Sequence, residues 1–272
     1  MNTKKYTIQL GESALDIDVE NPMGDATYFV FALHKSGSVL LNAMVREMAA
    51  VAKVPFVDVP GLLFSKGFMI SEVSNLCGGV FAQEGVCFGG FRHIPPPVLG
   101  VKLTKESRSV LLVRDPRDML VSHYFSMLKS HSIPQGGKVR DFMLGAREQA
   151  GQTSIDAYVV EKADFFVTQF IRYDADLLRD HSERTKIYRY EDVIFEKVSW
   201  LSDMNDWFGW GVDHGVIQSI ATTHDLRPEH EDTAKHVRRV VPGDHREKLQ
   251  PETIATLNEM FRPVVGRFGY NF

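Results

Sequence analysis

A short apolar run that ends in a polar turn and leads into a helical pattern constrains this fold most. Residues 28–33 are apolar and rich in β-forming side chains, and the turn HKSGS follows at residues 34–38. Apolar side chains then recur at helical spacing, at Leu40, Met44, Met48 and Val51. Ser38 is the expected N-cap of this helix. The pattern predicts a strand, a tight loop and a helix whose first N–H groups face the loop, an arrangement that binds anions.

This loop is not a Walker A loop. A Walker A loop has the pattern G-x-x-x-x-G-K-[ST], whereas here no glycine precedes Lys35 and Gly37 follows it. A phosphate or sulfate ester is the ligand that the loop favours. On its own, the segment is equally consistent with an ordinary tight turn between a strand and a helix.

A second strand–turn–helix pattern follows about 80 residues later. The run SVLLV at residues 109–113 has charged flanks, which is typical of a strand buried on both faces of a parallel sheet. Asp115 is then a suitable N-cap and Pro116 a suitable first residue for a helix to about residue 129. An arginine at this strand end, Arg114, predicts a second anion site.

The rest of the chain alternates between strand and helix patterns. Strands or hairpins are predicted at residues 1–26, 55–59, 86–92 and 187–190. Helices are predicted at residues 154–179, 196–208, 212–223 and 251–267. Residues 130–153 are expected to form a loop with at most one short helix, and residues 224–250 a loop rich in cations. The alternation predicts an α/β fold with a central, mainly parallel sheet flanked by helices, as a single domain over residues 1–272.

Composition excludes several classes of protein. The net charge of −4 argues against a general nucleic-acid binder. The two cysteines, Cys77 and Cys87, form no zinc-ligand spacing, so no metal is expected, and they fit a reducing compartment. The sequence has no signal-peptide pattern at its start and no apolar run of about 18 residues. We therefore expect a cytoplasmic protein with no membrane partner.

Five segments together resemble the sulfotransferases that depend on PAPS (3′-phosphoadenosine 5′-phosphosulfate). HKSGS at residues 34–38 resembles their 5′-phosphosulfate loop, P-K-S-G-T-T-W. RDPRDMLVSHY at residues 114–124 resembles their 3′-phosphate motif, R-[ND]-P-x-D-x-x-x-S-x-Y, and is the most specific match. FRHIP at residues 91–95, YED at 190–192 and RRVVPGDH at 238–245 are similar to K-T-H-L-P, Y-E-D and R-K-G-x-x-G-D-W. The segments occur in the family's order and extend over most of the chain.

The resemblance implies a P-loop-like sulfotransferase fold and an enzyme of cytosolic type, with a bacterial small-molecule sulfotransferase as the expectation. Such an enzyme moves the sulfuryl group of PAPS to a hydroxyl or amine of a small-molecule acceptor by in-line attack. The product is PAP (adenosine 3′,5′-bisphosphate), and no metal is implied. Neither the acceptor nor the oligomeric state follows from the resemblance.

The resemblance also implies roles for particular residues. Lys35 stabilises charge on the leaving phosphate, and His93 is the general base, which suits an imidazole. The other implied contacts are to the 5′-phosphate, from Ser36, Gly37, Ser38 and Val39; to the 3′-phosphate, from Arg114, Ser122, Arg238 and Arg239; and to adenine, from Tyr190 and Thr222.

The chain departs from the family pattern at several positions. Leu40 replaces the tryptophan that stacks on adenine, which leaves Tyr190 or His224 to contact the base. Val240 replaces the glycine after the basic pair, His245 replaces the tryptophan of G-D-W, and Phe91 replaces the lysine of K-T-H-L-P. The acceptor pocket is expected in the loops at 60–92 and 130–153, with aromatic walls that include Phe64, Phe68, Phe81, Phe88 and Phe91.

Structural interpretations remain open for the same residues. His93 also fits a hydrogen-bonded loop histidine, Arg114 with Asp115 fits a surface ion pair, and Tyr190 fits a core position. Arg238 and Arg239 also fit a solvated basic patch. Two other functions are consistent with a strand–loop–helix site: a P-loop-type kinase or NTPase, and a non-catalytic nucleotide-binding relative.

Overall fold

Seven strands form two sheets in the computed structural model, which describes residues 3–20, 24–73, 77–95, 98, 107–130, 138–179, 182–228 and 239–272. The strands are β1 Thr3–Leu10, β2 Ser13–Glu20, β3 Tyr28–Ala32, β4 Phe56–Val57, β5 Cys87–Phe91, β6 Arg108–Val113 and β7 Thr185–Arg189. The last five form one sheet in the order β4-β5-β3-β6-β7. Every neighbouring pair in it is parallel, which confirms the predicted α/β fold with a central parallel sheet.

Helices connect these strands and flank the sheet. They are α1 Ser38–Val51, α2 Val59–Ser65, α3 Ile70–Val73, α4 Gly78–Phe81, α5 Pro116–Phe125, α6 Lys138–Gln152, α7 Ile155–Tyr173, α8 Tyr190–Val193, α9 Lys197–Phe208, α10 His214–Thr223, α11 His245–Lys248 and α12 Pro251–Val265. Single π-helical turns extend α5 over Ser126–Ser130 and α7 over Asp174–Leu178. Short 3₁₀ turns lie at Ser182–Arg184 and Gly266–Phe268. No helix in the described ranges has the length and apolar character needed to cross a membrane.

The parallel sheet separates two apolar cores, because successive residues of a strand point to opposite faces. Residues of β3 and β6 alternate between them, with Phe29, Phe31, Leu111 and Val113 in the first core and Val30, Ala32, Val110 and Leu112 in the second. Helices α5, α7 and α12 pack in the first core, and α1, α9 and α10 pack in the second. The sheet is therefore covered on both faces, which explains why its strands have continuous apolar sequences.

The predicted N-terminal hairpin is present as β1 and β2, which pair antiparallel in full register. Its alternating apolar residues face the first core, through Ile8, Leu10, Leu15, Ile17 and Val19. The hydroxyl of Tyr6 also donates to Gln83 Oε1 at 2.7 Å. The hairpin thus packs on the same apolar core as the parallel sheet.

Four sequence predictions about these elements are wrong. Residues 138–152 form the 15-residue helix α6, where a loop with at most one short helix was expected. Pro60 does not close a strand but lies in the first turn of α2. Tyr190 is the first residue of α8 rather than the last of a strand. Within the predicted loop 224–250, residues 245–248 form α11, and residues 229–238 lie outside the described part of the chain.

Helix α1 also begins one residue earlier than expected. Its N-cap is Gly37, whose φ of 99° is left-handed, so Ser38 is the first helical residue and not the cap. The buried face of the helix consists of Leu41, Met44, Val45, Met48 and Ala49. Of the residues expected there, Leu40 is only partly buried and Val51 is 49% exposed.

Candidate active site

The loops that the sequence singles out follow the carboxyl ends of strands in the parallel sheet. Residues 34–38 follow β3, Arg92 and His93 follow β5, Arg114 follows β6, and Tyr190 follows β7. Because β5, β3, β6 and β7 are neighbours in that order, the four loops lie side by side. Ligands of open parallel sheets bind at this edge.

The 34–38 loop is built by its own backbone and by Ser36. The N–H of Ser36 donates to Leu33 O at 3.2 Å. The Ser36 hydroxyl, which is fully buried, donates to Leu33 O at 2.6 Å and Leu112 O at 3.1 Å. These donors serve the turn, which differs from the phosphate contact expected for Ser36. Lys35 has a φ of 62°, so this non-glycine residue adopts a left-handed conformation at the centre of the loop.

A side chain on Gly37 would be crowded by its neighbours. A Cβ atom there would lie 3.3 Å from two ring carbons of Tyr190 and 3.6 Å from Leu112. Its positive φ is also a conformation that side-chain-bearing residues rarely adopt. The loop backbone therefore packs directly on the face of Tyr190, and α1 starts there with free N–H groups in its first turn.

Arg114 is the buried cation of the site. Arg114 is 6% exposed, and its guanidinium carbon lies 4.4 Å from the centre of the Tyr190 ring. Its Nη2 is 3.6 Å from Asp118 Oδ2, and its Nη1 is 3.5 Å from the carbonyl oxygen of Lys35. Among the described residues, the buried Nε has no hydrogen-bond partner. Arg114 thus joins both strand–loop–helix units and retains an unused donor.

Asp118 anchors the C-terminal segment to this arginine, a role that the sequence analysis missed. Its carboxylate accepts hydrogen bonds from the Gly243 N–H at 2.7 Å, the His245 N–H at 3.0 Å and the His245 Nδ1 at 2.7 Å. The side chain is fully buried. Burial opposes ionisation, but the bonds from His245 and Gly243 and the charge of Arg114 outweigh it and hold the pKa of Asp118 well below its ordinary value. The one available signal was its position four residues after Arg114 in the matched motif.

Asp115 does not form the surface ion pair with Arg114 that was left open. Its carboxylate caps α5 by accepting from the Arg117 N–H at 2.9 Å, and it pairs with the Arg117 guanidinium at 2.6 Å. The N–H of Asp115 donates to Glu191 Oε1 at 2.8 Å, and Tyr270 donates to Glu191 Oε2 at 2.8 Å. Glu191 therefore links the ends of β6 and β7 and fixes Arg114 relative to Tyr190.

The predicted phosphate-binding pair at 238–239 is described only in part. Arg238 lies outside the described residues. Arg239 makes a two-pronged contact with Glu247, with both N–O distances at 2.6 Å, and lies 3.4 Å from Asp244 Oδ1. Tyr190 donates to the carbonyl oxygen of the next residue, Val240, at 2.9 Å. The segment that carries Arg239 is thereby held against Tyr190 and Arg114.

Two of the residues expected near adenine, Thr222 and His224, lie at the C-terminal end of α10. Thr222 is exposed near the end of α10, and its hydroxyl donates to Gln218 O at 2.8 Å. His224 Nε2 lies 2.8 Å from Glu47 Oε1 of α1. Ser122 is partly buried on α5, one helical turn beyond Asp118.

His93 has an unpaired nitrogen at the end of β5. Its buried Nε2 has no hydrogen-bond partner in the described part of the chain. Burial, with the charges of Arg172 and Arg92, lowers the pKa of His93 below its ordinary value. At neutral pH the imidazole is therefore uncharged and able to accept a proton.

Three of the aromatic residues expected in an acceptor pocket are core residues instead. Phe81, Phe88 and Phe91 are at most 1% exposed in the first core, where the Phe81 ring packs edge-on against Phe88 and tilted against Phe91. Phe64 and Phe68 are partly buried. A run of phenylalanines is typical of both a core and an apolar pocket, and only the packing distinguishes the two.

A cavity of about 280 Å³ opens beside the first turns of α1. Its lining combines apolar, polar and charged residues, and includes Val39, Asn42, Arg46, Asp58 and Arg92. Asn42 bridges the two sides, because it donates to Ser38 O at 2.7 Å and accepts from the Gly90 N–H at 2.9 Å. In the described ranges, no group of three or more His, Cys, Asp or Glu side chains is arranged to hold a metal ion.

Comparisons with known proteins agree with this arrangement. The family model described as Sulfotransferase domain matches residues 25–269. The solved structure of mouse sulfotransferase SULT7A1 complexed with PAP is 12% identical, with a TM-score of 0.60 over 90% of this chain and 86% of that chain. Retinol dehydratase in complex with androsterone and inactive cofactor PAP is 14% identical, with a TM-score of 0.51 over 90% and 82%. No curated protein matches the sequence.

Proposed function

The chain belongs to the sulfotransferase domain family, and from this premise we propose that it transfers the sulfuryl group of PAPS to a hydroxyl or amine of a small-molecule acceptor. The observation that carries the proposal is Arg114. A buried arginine at the end of a central strand, with an unused Nε donor, lies beside a loop that opens a helix N-terminus. Two anion-binding groups at one sheet edge fit a ligand with two separate anionic ends.

The residues present fit such a nucleotide. The Gly37 backbone lies close to the Tyr190 ring, because a Cβ there would be 3.3 Å from two of the ring carbons. Lys35, Gly37, Ser38 and Val39 would hold the 5′-phosphosulfate end, with Ser36 shaping the turn from beneath. Arg114, Ser122 and the basic pair Arg238 and Arg239 would hold the 3′-phosphate, and Tyr190 and Thr222 would contact adenine.

In this proposal PAPS supplies a sulfuryl group activated by its phosphate leaving group. Lys35 supplies positive charge beside the bridging oxygen, where negative charge grows during transfer. His93 receives the proton of the acceptor at Nε2, the nitrogen that has no partner among the described residues. The uncharged state of its imidazole at neutral pH suits that role. The rest of the site positions the reactants.

The acceptor in this proposal is a small molecule. The solved relative bound to androsterone accommodates a small apolar ligand, which supports this class in the fold. We also propose that residues 1–272 act as a single domain. The hairpin β1–β2 supports this, because its five apolar residues lie in the same core as α5, α7 and α12.

Isothermal titration with adenosine 3′,5′-bisphosphate tests the nucleotide class. We expect micromolar binding to the wild-type protein, no binding of ATP with Mg²⁺, and loss of bisphosphate binding in Arg114→Ala. Arg108→Ala is the matched control, because Arg108 lies at the other end of the same strand and contacts Trp207. Binding of ATP–Mg²⁺ in place of the bisphosphate would instead support a kinase or NTPase.

A transfer assay then distinguishes an enzyme from a binding relative. Radiolabelled sulfate in PAPS is followed into a panel of small alcohols, phenols and amines. We expect His93→Asn to lower the rate by about 10²–10⁴-fold while bisphosphate affinity stays unchanged. Tight bisphosphate binding without transfer to any acceptor would leave only the non-catalytic relative.

A further inference from the structure

Arg92 is a cation at the candidate site to which the family resemblance gives no role. It is the first residue after β5, and its Nε lies 3.4 Å from the hydroxyl oxygen of Ser38. Ser38 is the first residue of the 14-residue helix α1, directly after the Gly37 cap. The Arg92 guanidinium therefore stands beside the first turn of α1, where the free N–H groups of the helix are.

Arg92 borders open space at the candidate site and is charged. The side chain lines the 280 Å³ cavity together with Val39 and Asn42, so the guanidinium borders open space next to the loop. Burial lowers the pKa of Arg92, and the carboxylate of Asp58 raises it. An arginine keeps its charge under such conditions. The Asp58 carboxylate also accepts from the Gly61 N–H at 2.7 Å, which fixes its position beside Arg92.

The neighbouring residues on β5 provide no other positive charge. Phe91 is fully buried in the first core, and Gly90 and Gly89 carry no side chain. A Cβ atom on Gly90 would lie 1.8 Å from Asp58 Oδ1, and one on Gly89 would lie 2.2 Å from Phe56. The close packing of these glycines fixes the strand end, and therefore the direction from which Arg92 reaches Ser38.

We propose that Arg92 binds the 5′-phosphosulfate group of the nucleotide, as a second cation opposite Lys35 across the first turn of α1. Its guanidinium would donate to oxygen atoms of the 5′-phosphate or the sulfuryl group, while Ser38 and the helix N–H groups contact the same anion. The inference rests on the proposed function, because it assigns one more residue to that nucleotide site.

A comparison of two nucleotides isolates this contact. Adenosine 3′,5′-bisphosphate carries the 5′-phosphate, and adenosine 3′-monophosphate lacks it. We expect Arg92→Met to lower the affinity for the bisphosphate by about ten- to a hundredfold, which is the value of a lost charged hydrogen bond. The affinity for the monophosphate should stay unchanged. Arg92→Lys should recover part of the bisphosphate affinity. Arg46→Met is the control, because Arg46 lines the same cavity but stacks on Phe56 at 4.8 Å.

Other outcomes overturn the inference in distinguishable ways. Equal weakening of both nucleotides in Arg92→Met would mean that Arg92 only supports the strand end. Unchanged binding of both nucleotides would mean that Arg92 does not contact the ligand. If the methionine variant does not fold, the binding of the same two nucleotides is compared between Arg92→Lys and the wild-type protein. If the wild-type protein binds neither nucleotide, the proposed function itself fails, and this inference fails with it.

Discussion

The carboxamide of Gln169 binds His34 at two points. Its Oε1 accepts the His34 backbone N–H at 3.3 Å, and its Nε2 lies 2.6 Å from His34 Nδ1. Burial, followed by the charge of Arg92, holds the pKa of His34 well below its ordinary value, so the ring is neutral and Nδ1 can accept. Gln169 is 6% exposed on α7. Helix α7 therefore holds the residue that directly precedes Lys35.

Loss of this clamp should displace Lys35. In Gln169→Leu the partly buried N–H and Nδ1 of His34 lose their partner, which costs about 1–3 kcal/mol in the free energy of unfolding. We expect a lower kcat for sulfuryl transfer with a smaller change in bisphosphate affinity. Urea unfolding and a kcat measurement check this. Gln149→Leu, an exposed glutamine on α6, is the control. Equal kcat in the two variants would show that the clamp does not position the loop.

Gly37 should tolerate alanine poorly. Gly37→Ala places a Cβ 3.3 Å from the Tyr190 ring and requires a φ of 99°, so the loop backbone or the Tyr190 ring must shift. We expect bisphosphate binding to be lost, in addition to a backbone cost of about 1–2 kcal/mol in stability. Gly211→Ala separates the two effects, because its φ is 66° and nothing lies within 4 Å of the added Cβ. That control should lose stability and bind normally; impaired binding in both variants would point to general destabilisation.

The sequence predicted the sheet and its edge well, because those features depend on local pattern. The runs at β3 and β6 are continuous and apolar, and each stops at a polar turn, so the two loops could be located before any contact was known. Helix α6 was missed because Gly145 and Gly151 weaken a helical pattern. A Cβ on either glycine would meet nothing within 4 Å, so neither glycine is required by packing.

The contacts that hold the site in place were not predictable in this way. Asp118 meets His245 across 127 positions, and His34 meets Gln169 across 135 positions. No local sequence pattern predicts such a pair. The chemistry of a lone aspartate or glutamine is also compatible with many surface roles. The same limit applies to Phe81, Phe88 and Phe91, whose apolar character fits a pocket wall as well as the core in which they lie.

Tyr190 should act through both its ring and its hydroxyl. Tyr190→Phe keeps the ring under Arg114 but removes the hydrogen bond to Val240 O, so the segment that carries Arg239 loses a tether worth about 1 kcal/mol. The contribution of the 3′-phosphate to binding is measured as the ratio of the affinities for adenosine 3′,5′-bisphosphate and adenosine 5′-monophosphate. We expect this ratio to fall severalfold in Tyr190→Phe. Tyr190→Ala also removes the ring that supports Arg114, so the two nucleotides should bind with nearly equal affinity. An unchanged ratio in both variants would exclude Tyr190 from the 3′-phosphate region.

Asp118 should make the free energy of unfolding depend on pH in the acid range. Its native pKa is lowered by His245, Gly243 and Arg114, so its contribution is present above the ordinary carboxyl pKa of about 4 and is lost as the pH falls below it. Asp118→Asn removes the buried charge and should cost about 3–5 kcal/mol at pH 7. Urea unfolding between about pH 7 and pH 3 should therefore show a steeper loss of stability for the wild-type protein than for the variant, so that the two stability curves converge in acid.

Asp206→Asn, at an exposed carboxylate, is the control and should follow the wild-type curve. Parallel curves for Asp118→Asn and the wild type would mean that Asp118 is not the acid-sensitive link between Arg114 and the C-terminal segment.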